Sequence, residues 1–308
     1  MTDISADAVL IAGPTASGKS AAAMALAEAI GGDIVNADSM QMYAEPRILT
    51  ARPTDEDVRR VPHLLYGHVS VLESYSVGRF QSDAARALEA VRGWGRVPIF
   101  VGGTGLYFAV LAEGIASIPP VPAEIRATAM ARRKALGADA FHAELSVRDP
   151  ESASRLSASD TQRTLRAYEV LEATGRPLSQ WQRETGKPVL SGLRLARFVL
   201  APPRDALYAR IDARFDRMVE DGAMAEAIAL AGLQASSPAA KILGLRELLA
   251  VHAGTMALDD AKAAAKQATR QYAKRQLTWF RNRMADWTWI EAADLNQVVA
   301  AMREALSP

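Results

Sequence analysis

Apolar and polar positions along the chain fall into two kinds of stretch: short unbroken apolar runs and longer segments of helical spacing. Residues 9–12 (Val-Leu-Ile-Ala), 97–101 (Val-Pro-Ile-Phe-Val) and 197–201 (Arg-Phe-Val-Leu-Ala) have the length and apolar content of buried parallel strands. Residues 33–37 and 287–290 read as two further strands. Between them, 21–30 is alanine-rich, with Met24, Leu26 and Ile30 available for a packed face, and 76–91 spaces its apolar residues as a helix ended by Gly93 and Gly95. A charged helix follows Pro202-Pro203, residues 258–286 form a long helix, and a last helix closes the chain. Strand and helix alternate, which predicts an α/β fold, a parallel sheet flanked by helices.

Ile118-Pro119-Pro120-Val121-Pro122 interrupts that alternation. Beyond it, 123–185 lacks strand-like runs and is rich in Ala, Arg, Glu and Leu, as a helical insertion domain is. The expected division is a core of 1–120 with 193–308 and an insertion of 121–192.

Composition adds mainly exclusions. With 49% hydrophobic and 23% charged residues the chain is an ordinary soluble type, and a net charge of +1 means that a polyanion must be met by a local patch. The absence of cysteine excludes disulfides and thiolate zinc sites, and His63, His68, His142 and His252 have no metal-binding spacing. Polar Thr2, Asp3 and Asp7 at the start argue against a leader or a membrane span, so a cytoplasmic protein is expected.

Chemistry enters at Gly13-Pro14-Thr15-Ala16-Ser17-Gly18-Lys19-Ser20, which fits the phosphate-binding pattern G-x-x-x-x-G-K-[ST] and lies between a strand and a helix, as a P-loop must. Gly13 and Gly18 let successive N–H groups turn inward, and the helix start adds its positive dipole end. Lys19 supplies a charge, and the Ser20 hydroxyl is placed to ligate Mg²⁺ that also holds phosphate oxygens. Asp38, at the carboxyl end of the second strand, either works beside this loop or caps the next turn through Ser39 or Met40; both readings are open. Ser39 and Gln41 add neutral groups of the kind that read a base edge. Gly102-Gly103-Thr104-Gly105 ends the third strand, either as a tight turn or as bare backbone facing a ligand. Arg163 and Arg166 share a helix face, as do Arg210 and Arg214, and Lys262, Lys266, Arg270 and Lys274 recur at four-residue steps. Each cationic set fits a solvated, salt-bridged face, and the last also fits a nucleic-acid rail.

Taken in series, GPTASGKS, NADSMQMY, TARPT with VPHLL, VPIFVGGTGLY, DTQRTLRA, KILGLRE and TRQYAKRQLTWFR resemble the bacterial tRNA dimethylallyltransferases, over about Val9 to Trp289. The resemblance implies a P-loop NTPase-like sheet and transfer of a dimethylallyl group from dimethylallyl diphosphate to N6 of adenosine 37 in tRNAs reading codons that begin with U. It implies Asp38 as general base, Arg214 on the diphosphate with Arg210 as its alternative, and Thr104 at the reacting centre. It further implies tRNA contacts from Asp38, Ser39, Met40, Gln41, Thr104, Arg126, Gln162, Arg163, Thr164, Leu165, Arg166, Lys241, Gly244 and Arg246, with Mg²⁺ on Ser20. Leu245 departs from the tyrosine common in relatives, Lys241 stands where arginine is also found, and no cysteine-histidine finger is present. A monomer is expected. The competing readings are an isopentenyltransferase on free AMP, ADP or ATP, a small-molecule P-loop kinase, and a nucleotide-gated RNA-binding protein.

Overall fold

The computed structural model describes residues 4–234 and 237–307; Thr2 and Asp3, invoked above, lie outside the described residues. The sheet has six strands: β1 Ala8–Ala12, β2 Gly32–Asn36, β3 His63–Leu64, β4 Val97–Gly102, β5 Leu195–Leu200 and β6 Thr288–Ile290. Their order is β3-β2-β4-β1-β5-β6 and every pairing is parallel. β1 is buried along its whole length, as a central parallel strand covered on both faces must be. On one face, Val9, Ile11, Ile34, Ile99 and Phe198 pack against Ala22, Ala23, Leu26 and Ala27 of the helix Lys19–Ile30 and against Val298, Met302 and Leu306 of the helix Leu295–Leu306. The last three residues recur every four positions, which keeps them on one helical face.

β3 was not foreseen. It is two residues long within a proline-punctuated connection, too short for any periodicity to register, and it forms because β2 offers an open edge at Ile34 and Val35. β2 itself carries two buried polar residues, Asp33 and Asn36. Asp33 is paired with Arg96, and Asn36 donates to the main-chain carbonyls of Asp38 and Leu65 at 2.9 and 3.0 Å.

Pairing register positions the chemistry. Ala12 of β1 lies opposite Gly102 of β4, and Asn36 of β2 opposite Val101 of β4. The three strands therefore end side by side, and the loops that follow them emerge at one edge of the sheet, where parallel α/β proteins gather their functional groups.

The chain divides into two compact units, one that ends at Ala112 and resumes at Val189, and a second of Glu113–Pro188. The second begins several residues ahead of the proline run, because its two connecting segments are stapled there: Ala116 bridges Thr185, and Gly186 N–H donates to Ile115 O at 2.8 Å. It is helical, built on Phe141, Leu145, Ala167, Tyr168 and Val170.

Candidate active site

The loop after β1 is shaped by two left-handed residues, Ala16 at φ 64° and Gly18 at φ 92°. Ser17 N–H closes the turn on Pro14 O at 3.1 Å, and the helix Lys19–Ile30 begins at once, so its first-turn N–H groups have no helical acceptors. Lys19 Nζ folds back to Pro14 O at 3.2 Å. The Ser20 hydroxyl sits on exposed surface in that first turn.

Asp38 follows β2 and is held on both sides. Its N–H donates to Asn36 Oδ1 at 2.8 Å, and its Oδ1 accepts Met40 N–H at 3.0 Å. The turn-capping reading thus holds for one carboxylate oxygen; Oδ2 is directed toward Gly103, where a Cβ would come within 3.0 Å of it. Thr104 pins the same loop from the end of β4: its Oγ1 accepts Ser39 N–H at 2.9 Å, and its N–H donates to Ala37 O at 3.3 Å.

Two further helices complete the site. From Arg204–Glu220, Arg214 donates to the Thr15 hydroxyl, while Arg210, one turn earlier, donates to Ser17 O at 3.3 Å and to Ala293 O. From Leu258–Arg283, Gln276 accepts Thr15 N–H and donates to Gly103 O, each at 2.9 Å. Thr15, Asp38, Met40, Arg214, Tyr272 and Arg275 are among the residues lining one cavity of about 320 Å³. Its remaining wall is largely apolar, including Leu49, Ile211, Phe215, Met218 and Ile242.

Burial sets the electrostatics. Loss of water pushes the Lys19 ammonium down to about 8, with Asp38 opposing and Arg214 adding to the shift. Arg214 is driven down to about 10 by the same desolvation, against the pull of Asp38. Two depressed cations beside one carboxylate leave a site short of negative charge, the state in which a polyanionic ligand is most strongly attracted.

A family model described as IPP transferase matches residues 41–283, and one described as Isopentenyl transferase matches 6–72. A tRNA dimethylallyltransferase of Bradyrhizobium sp. (strain ORS 278) is 48% identical over 298 residues, covering 96% of this chain and 97% of the relative. This chain belongs to the tRNA dimethylallyltransferase family. Among solved structures, the full-length tRNA isopentenylpyrophosphate transferase of Bacillus halodurans is similar at 33% identity and a TM-score of 0.68, covering 97% of this chain and 95% of that one. A eukaryotic dimethylallyltransferase described as acting on tRNA is similar at 27% identity and a TM-score of 0.81, covering 96% of this chain and 77% of that one. These neighbours carry the P-loop NTPase-like fold that the motif order implied.

Within this tRNA dimethylallyltransferase fold, the foreseen residues have distinct surroundings. Gly13 to Ser20, Asp38 to Gln41, Thr104 and Arg214 gather at the strand ends, and Lys241 lines the cavity. Gln41 gives its amide to Thr50 O at 2.9 Å and Ala51 O at 2.8 Å, so it shapes that loop as it stands. Gly244, at φ 84°, starts the helix that carries exposed Arg246, which is 3.0 Å from Glu247. In the insertion unit, Gln162 and Arg163 are exposed, and Arg126 and Arg166 lie 3.8 and 4.0 Å from Glu169.

One expectation needs correction. Thr164 is fully buried and donates to Asp160 O at 2.7 Å, so its side chain is not at a surface where RNA could touch it; Leu165 is half-buried against the insertion core. Of the two readings open for the cationic stripe, the salt-bridged one holds for most of it. Lys262 and Lys266 hold Asp216 at 2.8 and 2.7 Å, and Arg270 holds Asp212 at 2.6 Å, so the charges zip two helices of the same unit together.

Sequence reading also missed residues. Tyr272, Arg275 and Gln276 are not singled out by the sequence as site residues, yet a glutamine at a position spaced with Tyr272 and Trp279 is a polar group on a packed face, and that is the available signal. Glu226 gave no signal: its carboxylate accepts the N–H groups of Arg47, Ile48 and Leu49 at 2.7–2.8 Å and so anchors the cavity loop.

Proposed function

We infer that the protein prenylates tRNA, moving the dimethylallyl group of dimethylallyl diphosphate to N6 of adenosine 37 in tRNAs that read codons beginning with U. The observation that carries this reading is that one cavity joins a carboxylate, Asp38, to the phosphate-loop residue Thr15 and its partner Arg214, with apolar walls between. A kinase needs the phosphate loop but not an apolar chamber facing a carboxylate.

The steps follow from the groups present. The donor's diphosphate lies in the loop, where Lys19, Arg214 and first-turn N–H groups attract its charge. The base leaves its stack and enters beside Asp38 to Gln41 and Thr104. The N6 lone pair attacks C1 of the donor, the C1–O bond breaks, and diphosphate departs with the bonding electrons. Asp38, through Oδ2, takes the N6 proton. An exocyclic amine conjugated to a ring is a weak nucleophile, so alignment and exclusion of water carry much of the acceleration.

Mg²⁺ fits this loop, because the hydroxyl oxygen of exposed Ser20 would hold it together with diphosphate oxygens and water. When bound it offsets charge on the leaving group. Lys241, Gly244, Arg246 and the insertion residues Arg126, Gln162, Arg163 and Arg166 serve the tRNA. Among the described residues no helix is long and apolar enough to cross a membrane, and a tRNA substrate implies work in the cytoplasm. A monomer is part of this proposal.

The test incubates the purified protein with unmodified tRNA, radiolabelled dimethylallyl diphosphate and Mg²⁺, with AMP in a parallel tube. Label in tRNA is expected. Label in AMP alone overturns the acceptor assignment, and no label from folded protein overturns the reaction.

A further inference from the structure

Gln276 is buried, at 6% exposure, on the long helix Leu258–Arg283. Its two bonds fix its amide orientation: Thr15 N–H can only donate and Gly103 O can only accept, so Oε1 faces the phosphate loop and Nε2 the turn after β4. The main-chain ladder between β1 and β4 ends at Ala12 and Gly102. The Gln276 amide bridges the same two chain segments just beyond that point, as a side-chain rung would.

Each segment it bridges carries a different half of the reaction. On one side, Thr15 receives Arg214 on its hydroxyl. On the other, Gly103 leads into Thr104, whose hydroxyl and N–H hold Ser39 and Ala37 on either side of Asp38. There is no slack at the joint, since a Cβ on Gly103 would stand 2.3 Å from Gln276 Nε2 and 3.0 Å from Asp38 Oδ2.

We propose that Gln276 is a positioning residue for prenyl transfer, setting the span between the diphosphate side of the cavity (Thr15, Arg214) and the acceptor side (Asp38, Ser39, Thr104). The proposal rests on the reaction inferred above. Gln276 is not among the residues that line the cavity; it acts through Thr15 and Gly103. A displacement between nucleophile and C1 needs the two in line, and misplacement of the order of 1 Å can cost about a hundredfold. Losing the rung should therefore slow the chemical step more than it weakens binding of either substrate.

The experiment compares wild type with Gln276→Met, which keeps length and removes both bonds, and Gln276→Glu, which keeps the acceptor for Thr15 N–H and loses the donor for Gly103 O. It measures label transfer at saturating substrates, equilibrium Kd for tRNA and for dimethylallyl diphosphate, and hydrogen exchange at the Thr15 amide. In Gln276→Met, kcat should fall fivefold or more with the tRNA Kd within threefold, and Thr15 exchange should accelerate. In Gln276→Glu, kcat should fall fivefold or more while Thr15 stays protected. If Gln276→Met does not fold, the Glu variant alone decides. A smaller fall in kcat, a loss accounted for by a weaker tRNA Kd, or failure of both variants to fold overturns the proposal. Wild type that transfers no label removes the reaction itself, whereas normal wild-type transfer with unaffected variants removes only the role of Gln276.

Discussion

Arg214 donates to the Thr15 hydroxyl, whereas Arg210, one turn earlier on the same helix, turns to the carbonyls of Ser17 and Ala293. The two arginines should therefore fail differently. Arg214→Gln is expected to lower kcat by about 10²–10³ with little change in thermal midpoint, because its charge is held desolvated for the diphosphate. Arg210→Gln should lower unfolding free energy by about 1–3 kcal/mol, read by urea titration. Equal activity loss in both folded variants would refute the assignment.

Asp38 caps Met40 N–H with one oxygen and leaves the other toward Gly103. Asp38→Asn keeps an oxygen for the cap and removes the base. Single-turnover transfer should fall by about 10²–10⁴ without loss of fold. Retention of more than a tenth of the rate would sink the role of Asp38 as base.

Lys19 titrates near 8 rather than its ordinary 10.5, chiefly through burial. Diphosphate favours the charged lysine, so above about pH 8 donor binding must bring a proton with it, and affinity should fall by up to tenfold per pH unit. Calorimetry at pH 8.5 in two buffers of different ionisation enthalpy should show net proton uptake. The stability of the unliganded protein runs the other way. With the folded value depressed, the unfolded chain binds more protons between about pH 8 and 10.5, and Lys19 contributes stability that rises with pH across that window. A flat binding profile with no proton uptake would contradict the first part.

Lys262 and Lys266 are occupied by Asp216, while Lys241 and Arg275 line the cavity. Lys266→Ala should leave tRNA affinity within about twofold. Lys241→Ala or Arg275→Ala should weaken binding at low salt and reduce the slope of log K against log salt by about 1 each. The reverse ranking would restore the stripe as the RNA rail.

Glu226 gathers three consecutive N–H groups of the loop that carries Leu49 and Thr50 into the cavity. Glu226→Ala leaves those donors without their carboxylate and is expected to destabilise the protein by about 2–3 kcal/mol. Hydrogen exchange at residues 47–49 should accelerate before global unfolding. Unchanged exchange there would show that the loop holds itself.

Much of the site was legible because it is local. The phosphate loop declares itself in eight consecutive residues, Thr104 stands just past the apolar run of β4, and Asp38 just past the shorter Ile34-Val35 pair of β2. Local pattern also set the class of fold, since alternating buried strands and helices have few ways to pack. The charges on 204–220 and 258–283 were visible too, but a row of lysines reads the same whether it faces water, RNA or a row of aspartates.

What the sequence determined by itself is the main strands and helices apart from β3, their order, and the phosphate-binding chemistry, all of which arise from residues within a turn or a strand of one another. Only the tertiary structure decided which arginine meets Thr15, that Asp216 and Asp212 neutralise the stripe, that Thr164 is buried, and that Gln276 spans the phosphate loop and the turn after β4. The physical reason is distance along the chain. Thr15 and Gln276 are 261 residues apart, and no local preference encodes a hydrogen bond that exists only once six parallel strands have brought their carboxyl ends to one edge.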